Sequence, residues 1–166
     1  MPRNDKMVVK CIDLLKERGV TIHDIAECII FLQAKYSADL DIDACEDAVY
    51  KILEKNEVQH AILTSVMLDV LAEQDMIPDK DLQKMLLNDE PLYGVDEVMA
   101  YGICNLYGSI ALTNYGYIDK VKPGIIGRLN NHDTNAVHTF LDDIVGAIAA
   151  SAASRLAHSG KRIDID

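Results

Sequence analysis

The chain has no tryptophan, only two phenylalanines, and 16 Lys and Arg residues against 27 Asp and Glu. Each shortage excludes something. So few large aromatics predict a core of Leu, Ile, Val, Ala and Met. The net charge of −11 excludes a general nucleic-acid binder, because phosphate backbones are held mainly by Lys and Arg. By the same argument, a phosphate-bearing substrate would require a cation to hold it. The four cysteines, Cys11, Cys28, Cys45 and Cys104, form no C-x-x-C pair, which disfavours zinc ligation and a disulfide framework and predicts a reducing, cytoplasmic setting. No alternating β-branched run survives between turn signals, so strands are not expected. The phosphate-cradling loops G-x-x-x-x-G-K-[ST] and G-x-G-x-x-G are missing, as are the G-x-S-x-G elbow and a cysteine-nucleophile motif. The opening Met1-Pro2-Arg3-Asn4-Asp5-Lys6 leads into an amphipathic pattern, not the apolar run of a signal peptide. The longest uncharged window, Val98 to Ile118, is long enough to span a bilayer, but Asn105, Ser109, Thr113, Asn114 and three glycines dilute it. It is expected to be a buried helix.

What is present describes one soluble globular domain over residues 1–166, with 49 % hydrophobic and 26 % charged residues. Helical spacing of apolar residues predicts an all-α bundle of about six helices. Asn4 is expected to cap the first helix and Gly19 to end it; Thr21 starts the second and Asp41 caps the third. A fourth runs from Asn56 to about Asp75, a short one from Asp79 to about Leu87 behind Pro78, and a long one from Asp96 to about Leu112. Thr113 to Asn135 reads as a long irregular loop, rich in Asn and Gly, of the kind that usually carries function. The stretch from His138 to His158 is the centre of the bundle. Between Ile144 and Ser154 it has no charge and is small on almost every face, so neighbouring helices can surround it closely. Thr139 with Asp142 resembles a capping box, and Ser159-Gly160 a C-cap.

Two acidic pairs, Asp96-Glu97 and Asp142-Asp143, open the two least polar helices. Adjacent helical residues point about 100° apart, so each pair sends one carboxylate inward and one sideways. If the helix starts lie side by side, several carboxylates converge, and a hard divalent cation is the economical way to hold them together. Oxygen ligands without cysteine favour Mg²⁺ or Mn²⁺. Acids in a first turn also simply complement the helix dipole, and that reading stays open. The segment Asp119-Lys120-Val121-Lys122-Pro123-Gly124 is locally basic in an acidic chain. A lysine there could steady a phosphate oxygen, or be a solvated loop lysine beside a Pro-Gly turn. His132 and His138 flank the central helix without metal-ligand spacing, and their roles are left open.

The blocks Asp96-Glu97-Val98, Asp119-x-x-Lys122-Pro123 and Phe140-Leu141-Asp142-Asp143-Ile144-Val145-Gly146-Ala147 occur in that order. In this the chain resembles the phosphatidylglycerophosphatase A family over roughly Gly94 to Ala150. It is most similar to a soluble branch of that family from Gram-positive bacteria, an all-helical bundle around a central helix. The resemblance implies Mg²⁺-dependent removal of the terminal phosphate from phosphatidylglycerophosphate. It further implies Asp96, Glu97, Asp142 and Asp143 as metal-site acids, Asp119 as the loop acid and Lys122 as the phosphate contact.

The sequence therefore points to a metal-dependent phosphomonoesterase, with Asp119, Lys122 and Asp143 carrying the chemistry. The expected partner is a phosphate ester, including an anionic phospholipid met at the inner membrane surface. A homo-oligomer is expected from the abundant apolar faces. Two rivals remain at this point: a Mg²⁺-dependent hydrolase of a soluble ester or nucleotide, and a non-enzymatic helical module whose acids are caps.

Overall fold

The computed structural model describes residues 5–37, 39–131 and 134–159. Among these residues there are nine α-helices and no strand: α1 (Lys6–Glu17), α2 (Ile22–Gln33), α3 (Ile42–Leu53), α4 (Asn56–Glu73), α5 (Lys80–Leu87), α6 (Val95–Asn105), α7 (Ser109–Val121), α8 (Ile125–Leu129) and α9 (Leu141–Ser159). The all-α expectation holds, and the short connections match the turn chemistry. Thr21 and Asp24 close a reciprocal capping box at the start of α2. The Asp41 carboxylate accepts from the Asp43 N–H at the start of α3. Gly19 takes the left-handed φ of +86° that ends α1. The cap of α1 is Asp5, whose carboxylate accepts from the Met7 N–H; Asn4 lies outside the described residues.

The axis of the molecule is α9. Every residue from Leu141 to Ser154 is buried, and α2, α3, α4, α6, α7 and α8 all pack against it. The small side chains explain this arrangement, since backbones separated only by Ala and Gly can approach from several sides. A second, smaller apolar cluster of Ala72, Ile77, Leu86, Val137 and Phe140 anchors the segment just before α9 against α4 and α5. The start of the central helix is therefore held from behind.

Three expectations need correction. The long helix from Asp96 to Leu112 is two helices, broken between Asn105 and Ser109, where Gly108 takes a φ of +93°. The supposed loop from Thr113 to Asn135 is helical over most of its first half, as the end of α7, and again in α8. Ala111, Tyr115 and Ile118 are buried at helical spacing against α9. That burial outweighs the roughly 1 kcal/mol cost of a helical glycine at Gly116. Thr139 is not the cap of α9: its hydroxyl donates to the Leu86 carbonyl at 2.6 Å. The expected C-cap residue Gly160 lies outside the described residues. Among those described, no helix is long and apolar enough to cross a membrane.

Candidate active site

The cap of α9 comes from another helix. Asp69 on α4 is fully buried; its Oδ1 accepts from the Phe140 N–H and its Oδ2 from the Leu141 N–H, both at 3.0 Å. Burial pushes its pKa up to about 8, against the pull of those two N–H groups and of Arg18. The chain entering α9 is clamped beside it. Arg18 forms a two-pronged pair with Glu73 at 3.0 and 3.2 Å and donates to the Val137 carbonyl at 2.7 Å. Glu73 in turn accepts from the Val137 N–H at 2.9 Å. His138 faces this clamp, with Nδ1 3.5 Å from the Arg18 guanidinium. Burial and then the Arg18 charge lower its pKa. His132 lies outside the described residues. With Asp69 on two N–H groups and Asp142 Oδ1 accepting from the Asp143 N–H at 2.9 Å, these donors of the first turn are already taken by the protein's own carboxylates. A phosphate at this end must be held by something other than these N–H groups.

Just in front of this cap, Asp142 and Asp143 are each 6 % exposed. The carboxyls of Asp96, from α6, and Asp119, from α7, lie near enough to Asp143 to act on its proton. Burial, then Asp142, Asp96 and Asp119, hold its pKa far above the usual carboxylate range. The Tyr115 hydroxyl donates to Asp143 Oδ1 at 3.0 Å. Burial and the charges of Asp143 and Asp119 keep that phenol protonated well above its ordinary range. Burial also raises Asp142, which Lys122 pulls down and Asp89 pushes up. Lys122 is the counter-charge, with Nζ 3.2 Å from Asp119 Oδ1 and 3.7 Å from Asp142 Oδ2. Burial works against its ammonium, but Asp142, Asp119 and Asp143 together raise its pKa and keep it charged.

Local backbone geometry aims this lysine. Lys122 ends α7 with φ +53° and ψ +58°, a left-handed conformation that costs a non-glycine residue on the order of 1 kcal/mol. Gly127, in α8, passes so close behind it that a Cβ there would stand 2.7 Å from the Lys122 carbonyl oxygen. The Lys-Pro-Gly turn and Gly127 thus act together: the turn points the ammonium at the carboxylates, and the glycine lets α8 pack against the strained residue.

The structure therefore brings together five of the six predicted site residues: Asp96, Asp119, Lys122, Asp142 and Asp143. Glu97 is exposed at the rim, where its charge bears on Tyr101 and Tyr115. Asp96 Oδ1 also accepts from the Glu97 N–H at 3.0 Å, whereas Gly94, the N-cap of α6, leaves that end without a side-chain cap. Sequence reasoning missed Asp69, Asp89, Tyr115 and the Arg18–Glu73 clamp. Two of these had a signal. Asp69 occupies the core register of α4 set by Ile62, Val66 and Ala72, and Tyr115 that of α7 set by Ala111 and Ile118.

Buried carboxyls that act on one another require a proton or a cation between them, and Asp143 has two such neighbours. The donors are all oxygen, the chemistry of a hard divalent ion. Among the described residues, no three His, Cys, Asp or Glu side chains are grouped so that they could hold a metal ion as they stand. The donor set fits Mg²⁺ or Mn²⁺ in charge and ligand type.

The pattern of the family described as phosphatidylglycerophosphatase A matches residues 12–158. The chain belongs to that family. The match extends well beyond the three motifs and includes the scaffold helices. The family implies phosphatase chemistry. Among its relatives, the uncharacterized protein YutG of Bacillus subtilis is 58 % identical over 159 residues, 96 % of this chain and 95 % of that protein. The low temperature requirement C protein of Listeria monocytogenes has a crystal structure with a TM-score of 0.91 and 57 % identity, over 95 % of this chain and 99 % of that one. The crystal structure of YpjQ from Bacillus subtilis superposes with a TM-score of 0.90 at 50 % identity, over 94 % and 96 % of the two chains.

Proposed function

We propose that this family member is a divalent-metal-dependent phosphomonoesterase that removes the terminal phosphate of phosphatidylglycerophosphate. The observation that carries this reading is the approach of Asp96 and Asp119 to Asp143, beside a lysine held between Asp119 and Asp142. Buried carboxyls that raise one another's pKa are short of positive charge, which a Mg²⁺ ion would supply and through which an anionic phosphate would be held. Asp96, Asp142 and Asp143 would hold the ion, with Glu97 reaching in from the rim. When bound, the metal neutralises phosphate charge and lowers the pKa of a coordinated water.

The remaining steps belong to the chain. Lys122, pinned by two carboxylates yet about a third exposed, presents an ammonium to the phosphoryl oxygens and stabilises charge there in the transition state. Asp119 holds Lys122 and is itself partly exposed, so its carboxylate can orient a water and accept its proton, or return a proton to the leaving alkoxide. Among the described residues no helix is long and apolar enough to cross a membrane, and on this reading a lipid substrate would be met at the membrane surface.

The test is phosphate release from phosphatidylglycerophosphate in detergent micelles, with and without Mg²⁺, beside the Asp143→Asn variant. Release that requires both the metal and Asp143 is the expected result. Release from a water-soluble ester but not from the lipid would keep the metal site and move the substrate. Release that ignores both metal and Asp143 would sink the assignment.

A further inference from the structure

The carboxylate cluster is held by more than its acids. On α7, Tyr115 and Asp119 are four residues apart and so lie on one helix face. That face delivers a hydroxyl and a carboxyl to the same partner, Asp143 on α9. Tyr115 is only 1 % exposed. One side of its ring meets Tyr101 edge-on, with centroids 5.3 Å apart at 83°. The Cε2 of Tyr115 faces Gly146, where an added methyl group would stand at an ordinary contact distance of 3.6 Å. Gly146 is one helical turn beyond Asp143, so the ring lies alongside the helix that carries its hydrogen-bond partner. Neither the ring nor the hydroxyl is free to swing.

We propose that Tyr115 is a positioning residue that fixes the Asp143 carboxylate for the cation, an inference that rests on the metal-site reading above. An Asp side chain whose oxygens face Asp96 and Asp119 is pushed by like charges and, unaided, would rotate away when ionised. A neutral donor 3.0 Å from Oδ1 offsets that push and sets which oxygen remains for the metal. Groups that hydrogen-bond a liganding side chain typically account for 10–100-fold in metal affinity. Tyr115 acts through Asp143 and does not itself touch substrate. Tyr101 has the same ring chemistry one layer further out, but its hydroxyl makes no hydrogen bond among the described residues. It serves as an internal control.

The experiment is calorimetric titration of Mn²⁺, and then Mg²⁺, into wild type, Tyr115→Phe and Tyr101→Phe without any phosphate ester. Phenylalanine preserves the ring packing, so both variants are expected to fold, as checked by circular dichroism. Tyr115→Phe is expected to bind metal about 10–100-fold more weakly, while Tyr101→Phe binds as wild type does. In turnover assays the Tyr115→Phe deficit should shrink as metal is raised towards saturation, which a purely structural defect would not do. Wild-type affinity in Tyr115→Phe overturns the inference and leaves the metal site standing. An equal loss in both variants also overturns it. A wild-type protein that takes up no metal overturns this inference and the reading beneath it together.

Discussion

The first turn of α9 and the three turns that follow it are buried to the same degree and built on opposite principles. From Ile144 to Ser154 the helix presents small and apolar side chains, and its only polar members, Ser151 and Ser154, are neutral hydroxyls. One turn earlier, the same helix buries two carboxylates side by side, with a third, Asp69, beneath them. Unpaired buried charge is among the most destabilising features a fold can contain. The apolar turns hold the fold together, and the acidic turn spends part of that stability to keep carboxylates out of water. On the proposed function, the site gains from that cost, because electrostatic interactions are strongest where water is excluded.

The largest expected effect removes the acidic end's defining group. Asp143→Asn should lose metal-dependent phosphatase activity by on the order of 10³-fold or more. In metal-free buffer at pH 8 the same variant should melt higher than wild type by about 2–4 °C, corresponding to about 1 kcal/mol for a chain of this size. A variant that melts lower without metal would mean that the acidic turn stabilises the fold, and the contrast with the apolar turns would collapse.

Next in size is the cap. Asp69→Asn leaves one good acceptor and turns an amide N–H₂ towards a backbone donor, so a loss of about 1–3 kcal/mol in stability is expected. Its pH signature separates it from a packing defect. A carboxyl whose folded pKa is raised binds more protons folded than unfolded, so its contribution is fully present below the unfolded value and is lost as pH rises to about 8. Glu73, lowered by Arg18, has the opposite sign but acts only below its ordinary value of 4.5. The lowered pKa of His138 acts below 6.5. Between pH 6.5 and 8, metal-free wild type should therefore lose stability with rising pH more steeply than Asp69→Asn does. Parallel denaturant midpoints across that window would remove Asp69 from the account.

Two glycines sharpen the comparison with smaller effects. Gly127→Ala places a methyl against the Lys122 carbonyl and should cost about 1–3 kcal/mol by overpacking. A shift of the lysine should also lower kcat/KM by about tenfold, short of the 10²-fold expected for a full 1 Å misplacement. Gly146→Ala lies at the boundary of the two regimes, and its methyl meets Tyr115, Ile118 and Ile126 at 3.6–3.7 Å, ordinary contact distances. There, replacing a helical glycine should stabilise by about 0.5–1 kcal/mol with turnover retained. A thermal melt of both variants beside wild type decides whether the two glycines differ as described.

The helical class, the caps at Thr21 and Asp41, and the burial of the Ala-rich stretch were legible in the sequence because they depend on local spacing and composition. The two acidic pairs and Lys122 were legible as candidates for the same reason: charged residues beside uncharged helices stand out. The true extent of α7 was not legible, because Asn114 and Gly116 look like loop residues until α9 is present to bury Ala111, Tyr115 and Ile118. The cap of α9 was misread because Thr139 sits where a local cap should be, while the group that binds the helix N–H donors is 71 residues away from Phe140 in the chain.

Taken alone, the sequence determined the all-α class, the central helix and the candidate residues of the proposed site. These follow from side-chain chemistry and from the 3.6-residue period of a helix. Only the tertiary structure decided that Asp96, Asp119 and Asp143 share one point, that Glu97 stays at the rim, and that Asp69 and Tyr115 hold the cluster from behind and beside. Those outcomes depend on how helices distant in sequence cross. Crossing is set by the packing of many small side chains at once, which no short stretch of the chain encodes.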